Sequence, residues 1–594
     1  MAQIDHKLKI AAIVCFVLIS LSSLIAYTNP TRGYELSIYE STSYIVWIFL
    51  IISIAGGVTI IVHQAYTKEY KSSNFWLVGL LILILSRIIL LYIPFIRGYY
   101  TWNGDNVTHI GYVKDILFTG YISSSNSYPI THILLAELIS ISGAPVELIV
   151  NHSTALFSAL YVISIYLLAT AVSPGKDVQL LSVAAIGGVL FNAYDVYLMP
   201  NGWSILYIPL VFFLFFKSLV KKGPAIEYKS LLAVTLILFP FFHPLSSTML
   251  IVMLLTVGIT QYLIYFINYK KMPLRNILYF PPINSLLIVL IIFLPWILSF
   301  KTFHANLRGL FNAFTTGQGP DAIAQMGGQL NKINIHGFDF VNLTLKIMGD
   351  DIIFLILSII TIIILFKNQE ERKNNNVLII LLGITFIIGV MYSAYLFNII
   401  PGLNNIGAPR LIAYLVIFTP VSAGFALKHL IRKKSYIYVV ICIAIIQAAS
   451  ITSIFSLYAS PYVLQPNIQV TQMDMYGAKW FLDYKNTDIK SAEIMSPVNR
   501  FADAILGTDK RPDIMRASQI PDHFNYTVNN RLGESYTTDK YAFITQIDRQ
   551  IYDTVWKEVG RFHKEDFERL ENDPSAGKLY SNGEANVWYI QGIQ

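Results

Sequence analysis

The sequence is poor in charged residues and in cysteine. Charged residues make up 13% of its 594 residues, about half the share found in soluble domains, which excludes a wholly water-soluble protein. Only Cys15 and Cys442 are present, both inside apolar runs, so the exposed parts have no disulfide framework. The first apolar run lacks a small-residue cleavage site close behind it, and we interpret it as an uncleaved helix.

Long apolar runs make up much of the sequence. Hydrophobic residues account for 55% of the chain and its mean hydropathy is +0.55. Each run of roughly 18 apolar residues indicates a transmembrane helix. The sequence predicts an α-helical polytopic membrane protein with about 13 transmembrane helices, near 10–27, 44–63, 75–96, 147–172, 179–198, 203–216, 230–242, 246–267, 280–300, 352–366, 377–399, 411–427 and 435–457.

Basic residues indicate the orientation. If the N-terminus is cytoplasmic, the inside segments carry 19 Lys or Arg and the longer outside loops carry 8, as the positive-inside rule requires. We therefore expect a multi-pass protein of the cell membrane. The net charge of +7 then reflects loops that face anionic membrane lipid, and we expect no nucleic-acid partner.

The composition changes after residue 457. Residues 458–594 carry 15 Lys or Arg and 19 Asp or Glu, so we predict a transmembrane domain at 1–457 and a small extracytoplasmic α/β domain at 458–594. Within the latter we expect a helix at 473–484, strands at 492–495 and 541–547, and a hairpin around Asn582-Gly583. Residues 301–351 should form a mobile outer loop long enough to be functional.

A polar stretch after the third apolar run holds the first candidate site residues: Asp105, His109, Asp115 and His132. Asp105 and His109 share a face if the segment is helical. Asp105 could take a proton from an acceptor hydroxyl, or it could simply stabilise a helix start. Asp105 and His109 could also share a divalent metal ion, but their spacing fixes no third ligand.

Other polar residues lie at the ends of apolar runs or inside them. Arg410 could grip a phosphate or snorkel to the headgroups. Arg87 lies inside the third run, where a cation is a functional hypothesis unless it pairs with a nearby carboxylate. His243 could line a lipid-headgroup pocket or be an ordinary turn histidine. The pair Asp350-Asp351 could supply further carboxylate.

The segment Gly104-Asp105-Asn106-Val107-Thr108-His109, with Gly120 and Tyr128-Pro129-Ile130-Thr131-His132 after it, resembles the first outer loop of GT-C glycosyltransferases, above all the archaeal and bacterial relatives of protein mannosyltransferases. The resemblance implies that Asp105 is the catalytic base or orients the acceptor, and that Arg410 binds a lipid phosphate. The sequence departs from the family in three ways. An extra N-terminal hairpin precedes the loop, Asn106 stands where a second acid is common, and Lys479-Trp480-Phe481-Leu482-Asp483 does not match the oligosaccharyltransferase signature Trp-Trp-Asp.

The resemblance implies a membrane enzyme that moves a hexose from a polyprenyl-phosphate-linked donor to a protein or glycan acceptor at the extracytoplasmic face. Asp105 would be catalytic, and the substrate- or phosphate-binding residues would be His109, His132, Arg410, Arg87 and His243. The alternatives are a membrane transporter or lipid flippase, an oligosaccharyltransferase-like enzyme without the Trp-Trp-Asp signature, and a non-catalytic scaffold.

Overall fold

The computed structural model describes residues 6–102, 104–220, 225–269, 281–316, 327–328, 330–333, 335–400, 403, 406–433, 435–496, 498–511, 518–557 and 560–593. Most of residues 6–457 are helical. Within this described part, nine helices are long and apolar enough to cross a membrane, and eleven if each of two bent pairs counts as one span. The chain is therefore a multi-pass membrane protein.

The nine long helices are His6–Thr28, Tyr44–Thr67, Trp76–Ile96, Val146–Val172, Pro200–Ser218, Pro244–Tyr269, Phe338–Lys367, Asn376–Leu396 and Tyr436–Leu457. The two bent pairs are Pro281–Leu298 with Lys301–Thr316, and Ala408–Val416 with Thr419–Ile431. The shorter helices of this part are Ile38–Ser41, Gly104–Thr119, Ile130–Ser142, Lys176–Ile186, Ala193–Val196, Ala225–Leu238 and Gln369–Asn374, with one-turn helices at Glu69–Lys71 and Phe239–Phe241.

Two of the thirteen predicted runs are not spanning helices. The run at 179–198 forms the 11-residue helix Lys176–Ile186, which ends at Gly187-Gly188, and then the short helix Ala193–Val196. The run at 230–242 belongs to the 14-residue helix Ala225–Leu238, which is shorter than a bilayer requires. The helix Lys176–Ile186 is buried from Val178 to Ile186, and hydropathy alone does not distinguish such a buried helix from a spanning one.

The predicted mobile loop at 301–351 is helical at both ends. Lys301–Thr316 continues from Pro281–Leu298 after a 97° bend, and Phe338–Lys367 begins well before the predicted span. Residues 317–326, with Gly317 and Gly319, lie outside the described residues.

The polar segment near Asp105 is a pair of helices, Gly104–Thr119 and Ile130–Ser142, so the condition under which Asp105 and His109 share a face is met. Just before it, strand β1 (Thr101–Trp102) pairs antiparallel with β2 (Gln469–Val470). This short ladder joins the early polar segment to the start of the C-terminal part of the chain.

Residues 490–590 contain a five-stranded sheet. Its strands are β3 (Lys490–Glu493), β4 (Ser518–Gln519), β5 (Lys540–Ile544), β6 (Ala576–Ser581) and β7 (Asn586–Ile590), in the order β4-β3-β5-β7-β6. The contact of β6 with β7 is antiparallel and confirms the hairpin predicted around Asn582-Gly583. The helices after residue 457 are Gln472–Tyr484, as predicted, and Val498–Leu506, Gln546–Gln550 and Lys564–Glu571, with one-turn helices at Pro461–Val463, Asp522–Asn525 and Leu532–Ser535 and a π-turn at Ile551–Val555.

The helix Val498–Leu506 packs closely on Gly104–Thr119. A Cβ atom at Gly111 would lie 2.6 Å from the backbone oxygen of Asp503, so the approach requires glycine. Asp115 supports the same contact, since its buried carboxylate accepts hydrogen bonds from the backbone nitrogens of Thr508 at 3.0 Å and Asp509 at 3.4 Å. The C-terminal part is thereby fixed against the polar helix pair.

Replacing Gly111 should loosen this contact. We expect Gly111→Val to destabilise the folded protein by about 1–3 kcal/mol, the usual cost of overpacking, and to make residues 458–594 easier to cleave with protease. Thermal unfolding and limited proteolysis measure both effects. Gly577→Ala is the matched control, because a Cβ atom there meets nothing within 4 Å; equal behaviour of the two variants would contradict the close contact.

Candidate active site

A cavity of about 320 Å³ lies where six parts of the chain meet. These are the start of the helix Gly104–Thr119, the segment just before Ile130, the start of Pro200–Ser218, the turn before Pro244, the start of Ala408–Val416, and residues 498–511, which begin with the helix Val498–Leu506. Its walls are formed by Asp105, Thr108, His109, Tyr128, Met199, Pro200, Asn201, His243, Arg410, Asn499, Arg500, Asp503 and Arg511. Four of the predicted site residues, Asp105, His109, His243 and Arg410, thus share one cavity.

Asp105 lies in the first turn of its helix, where a carboxylate is favoured by the helix dipole. It forms a salt bridge with Arg500, and their side chains are 44% and 37% exposed respectively. A carboxylate this accessible can meet an incoming hydroxyl group. The alternative role of Asp105, stabilising the helix start, is compatible with the same position.

Arg410 lies at the start of the helix Ala408–Val416. Its guanidinium donates to the carbonyl oxygen of Ile406 at 3.4 Å and is hydrogen-bonded to the Tyr194 side chain. None of the salt bridges among the described residues includes Arg410. Its positive charge is therefore available to an anion that enters the cavity.

Two histidines and a tyrosine form an aromatic wall. The Tyr128 ring stacks on His243 with centroids 5.4 Å apart and lies edge-on to His109 at 6.1 Å. Burial lowers the pKa of His109 to about 3. Burial, helped by the charge of Arg410, lowers the pKa of His243 to about 3 as well. Both imidazoles are neutral at physiological pH and offer hydrogen bonds without charge.

The sequence does not predict the wall of the cavity that is formed by the C-terminal part of the chain. Asp503 accepts hydrogen bonds from the Thr108 hydroxyl at 2.9 Å and from the Arg511 guanidinium at 3.1 Å, and burial raises its pKa to about 6. Thr108 and Asp503 are 395 positions apart, and no local pattern brings such residues together. With Arg500, these side chains complete the cavity from the C-terminal part of the chain.

His132 is buried behind His109, with its Nε2 atom 3.0 Å from His109 Nδ1, and it does not line the cavity. Asp350 and Asp351 are buried in the helix Phe338–Lys367 and do not line it either. Trp480 belongs to the segment that comes nearest to the oligosaccharyltransferase signature, and its ring stacks on Tyr580 with centroids 4.5 Å apart. His132, Asp350 and Asp351 therefore do not reach the cavity, and Trp480 lies outside it as well.

Arg87 lies away from the cavity. Its guanidinium forms a buried salt bridge with Asp195 at 3.0 Å and also donates to Ser158 and to the carbonyl oxygen of Val189. The adjoining space is about 20 Å³, too small for a sugar or a phosphate group. Pairing with a carboxylate, the alternative role of Arg87, is the one observed.

We expect Arg87→Met to destabilise the protein by about 3 kcal/mol, because it leaves the carboxylate of Asp195 buried without its partner. The double variant Arg87→Met/Asp195→Leu should recover much of that loss. Thermal unfolding in detergent measures both variants. A single variant as stable as the wild type would show that the salt bridge does not hold the bundle together.

The described residues do not fit a metal site of three protein ligands. No group of three His, Cys, Asp or Glu side chains in this part of the chain is placed to hold an ion, and Asp105 is paired with Arg500 instead. A metal shared by Asp105 and His109 would need further ligands from a substrate.

Comparison with known proteins shows which solved structures have a similar fold. No family model matches the chain and no curated protein matches its sequence, but solved structures do, and the fold is similar to that of an archaeal oligosaccharyltransferase. The resemblance found in the Asp105 segment is thereby confirmed at the level of the fold.

Three solved structures illustrate the similarity. The apo oligosaccharyltransferase of Archaeoglobus fulgidus is 11% identical, with a TM-score of 0.51 over 87% of this chain and 74% of that one. The same enzyme in complex with Zn and sulfate is 12% identical, with a TM-score of 0.46 over 86% and 73%. ArnT from Cupriavidus metallidurans, bound to undecaprenyl phosphate, is 9% identical, with a TM-score of 0.47 over 88% and 100%.

Proposed function

We propose that this protein is a membrane glycosyltransferase that moves a sugar from a polyprenyl-phosphate-linked donor to an acceptor hydroxyl. The observation that carries the proposal is the presence of Asp105 and Arg410 in one cavity. An accessible carboxylate can take a proton, and a guanidinium can bind a phosphate group. In a GT-C fold, this carboxylate and this guanidinium can act together on one lipid-linked sugar donor.

In the proposed reaction, Asp105 takes the proton of the acceptor hydroxyl as its oxygen attacks the anomeric carbon of the sugar. The bond between that carbon and the phosphate oxygen breaks, and its electron pair leaves with the lipid phosphate. Arg410 stabilises the negative charge that develops there. The sugar changes its anomeric configuration because attack and departure occur on opposite faces in a single displacement.

The sidedness of the protein belongs to the same proposal. The bias of basic residues supports a cytoplasmic N-terminus. Arg500 contacts Asp105, so the C-terminal part and the polar helix pair lie on one side of the membrane. We therefore assign both, and the domain 458–594, to the extracytoplasmic face, with a protein or glycan as acceptor.

The proposal is tested with purified protein reconstituted in lipid vesicles, given polyprenyl phosphates that carry labelled hexoses and a panel of peptide and glycan acceptors. We expect labelled product from at least one pair. Asp483→Asn, on an exposed surface, is the control and should transfer normally. Lipid movement across vesicles without cleavage of any donor would favour the transporter alternative instead.

A further inference from the structure

Three buried side chains form a chain of hydrogen bonds that ends at the cavity. Asn126 Oδ1 accepts from the backbone nitrogen of Tyr128 at 3.2 Å. Asn126 Nδ2 lies 2.9 Å from His132 Nδ1, and His132 Nε2 lies 3.0 Å from His109 Nδ1. Asn126, His132 and His109 are 1%, 0% and 7% exposed, so bulk water does not compete for these contacts.

The hydrogen bond between Asn126 Oδ1 and the backbone nitrogen of Tyr128 fixes the position of each proton in this series of hydrogen bonds. Only the amide oxygen of Asn126 can accept from a backbone N–H, so its NH₂ group faces His132 and donates to Nδ1. Burial lowers the pKa of His132 well below its usual value, and the neutral ring carries its single proton on Nε2. That proton is donated to His109 Nδ1.

His109 is then left with one tautomer. Its pKa is lowered to about 3 by burial, so the ring is neutral and its proton is on Nε2. His109 lines the cavity, and no hydrogen bond links Nε2 to any of the described residues. An N–H donor of fixed orientation is thus available at the cavity wall.

We propose that the Asn126–His132–His109 relay presents His109 Nε2–H as a donor to an oxygen of the bound lipid-linked sugar. The identity of this ligand rests on the function proposed above. His109 is the binding residue, and His132 and Asn126 are positioning residues that act through it. The acceptor is a phosphate oxygen or a sugar hydroxyl oxygen, two sources of the same chemistry.

A neutral donor suits this cavity. Arg410, Arg500 and Arg511 already supply positive charge there, so a charged His109 would be repelled, whereas an N–H group adds direction without charge. The same tautomer has no lone pair on Nε2 for a metal ion, which disfavours a divalent ion shared by Asp105 and His109, one of the alternatives left open by the sequence.

The tautomer can be read directly by ¹⁵N NMR of the histidine rings in the full-length protein, with His109→Gln and His132→Gln spectra for assignment. We expect His109 and His132 each to carry a proton on Nε2 only. A proton on Nδ1 of His109, or a doubly protonated ring near neutral pH, would overturn the relay.

Substitutions of His109 test whether its N–H group binds the lipid-linked sugar. His109→Phe should raise the KM for the donor about tenfold, the effect of one lost hydrogen bond, while changing kcat less. His109→Gln places an amide N–H near the position of Nε2 and should restore most of the affinity. His152→Gln, outside the cavity, is the matched control. An unchanged KM in His109→Phe would contradict the proposal.

Two lipids distinguish whether His109 donates to a phosphate oxygen or to a sugar hydroxyl oxygen. The same measurements distinguish a failure of this proposal from a failure of the proposed function. A shift of the His109 Nε2 resonance with undecaprenyl phosphate alone points to a phosphate oxygen; a shift only with the glucosylated lipid points to the sugar. A shift without any sugar transfer would remove the proposed activity and support the relay. Normal transfer without a shift from either lipid would remove the relay and keep the activity.

Discussion

Asp105→Asn should lower kcat for sugar transfer by about 10³- to 10⁴-fold, in the range of a lost general base. The amide fills the same space but cannot accept the proton of the attacking hydroxyl. Donor affinity should change little, because the phosphate contacts assigned to Arg410 are intact. Single-turnover transfer and donor binding, measured on the same preparation, distinguish the two effects.

The control for this variant follows from its salt bridge. Replacing Asp105 leaves Arg500 without the partner it has in the structure, and an unpaired cation could itself disturb the cavity. The double variant Asp105→Asn/Arg500→Gln removes that charge and should be as inactive as the single one. Recovery of transfer in the double variant would assign the loss to Arg500, and Asp105 would no longer be the base.

Arg410→Gln should lower kcat/KM by about 10³-fold, as expected when the main stabiliser of a developing negative charge is lost. The inhibition constant of polyprenyl phosphate, the proposed leaving group, should rise in the same variant. Arg410→Lys keeps the charge but not the paired donors of guanidinium, so it should recover only part of the activity.

Arg432→Gln is the matched control for Arg410. Arg432 is 55% exposed and pairs with Glu371, so its loss should leave kinetics unchanged. Normal kinetics in Arg410→Gln together with normal polyprenyl phosphate inhibition would show that the phosphate is bound elsewhere, and Arg500 or Arg511 would be the next candidates.

Much of the fold follows from local patterns. Nine of the predicted runs are long spanning helices and two more are bent pairs, because sustained apolar character is a strong signal. The helix Gln472–Tyr484 and the hairpin at Asn582-Gly583 follow from short-range residue preferences. The run at 179–198 misleads because Gly187-Gly188 ends its helix inside the bundle, where buried and spanning segments have the same composition.

The site is predictable only in part. Asp105, His109, His243 and Arg410 attract attention because each is a polar residue beside apolar runs. Arg500, Asp503 and Arg511 lie in a polar segment where charge is ordinary, and their position depends on contacts almost 400 residues distant along the chain. Arg87 was given a ligand-binding role because a sequence does not reveal that Asp195 lies 3.0 Å away.

The most direct test of the account counts both products of one reaction. Purified protein is given a polyprenyl phosphate that carries a doubly labelled hexose, and the transferred sugar and the released lipid phosphate are measured together. We predict equal amounts, with inverted anomeric configuration in the transferred sugar, and with Asp105→Asn both products formed at least about 10³-fold more slowly. Lipid that crosses the membrane with its sugar still attached, or transfer that is equal in the variant, would contradict the central claim.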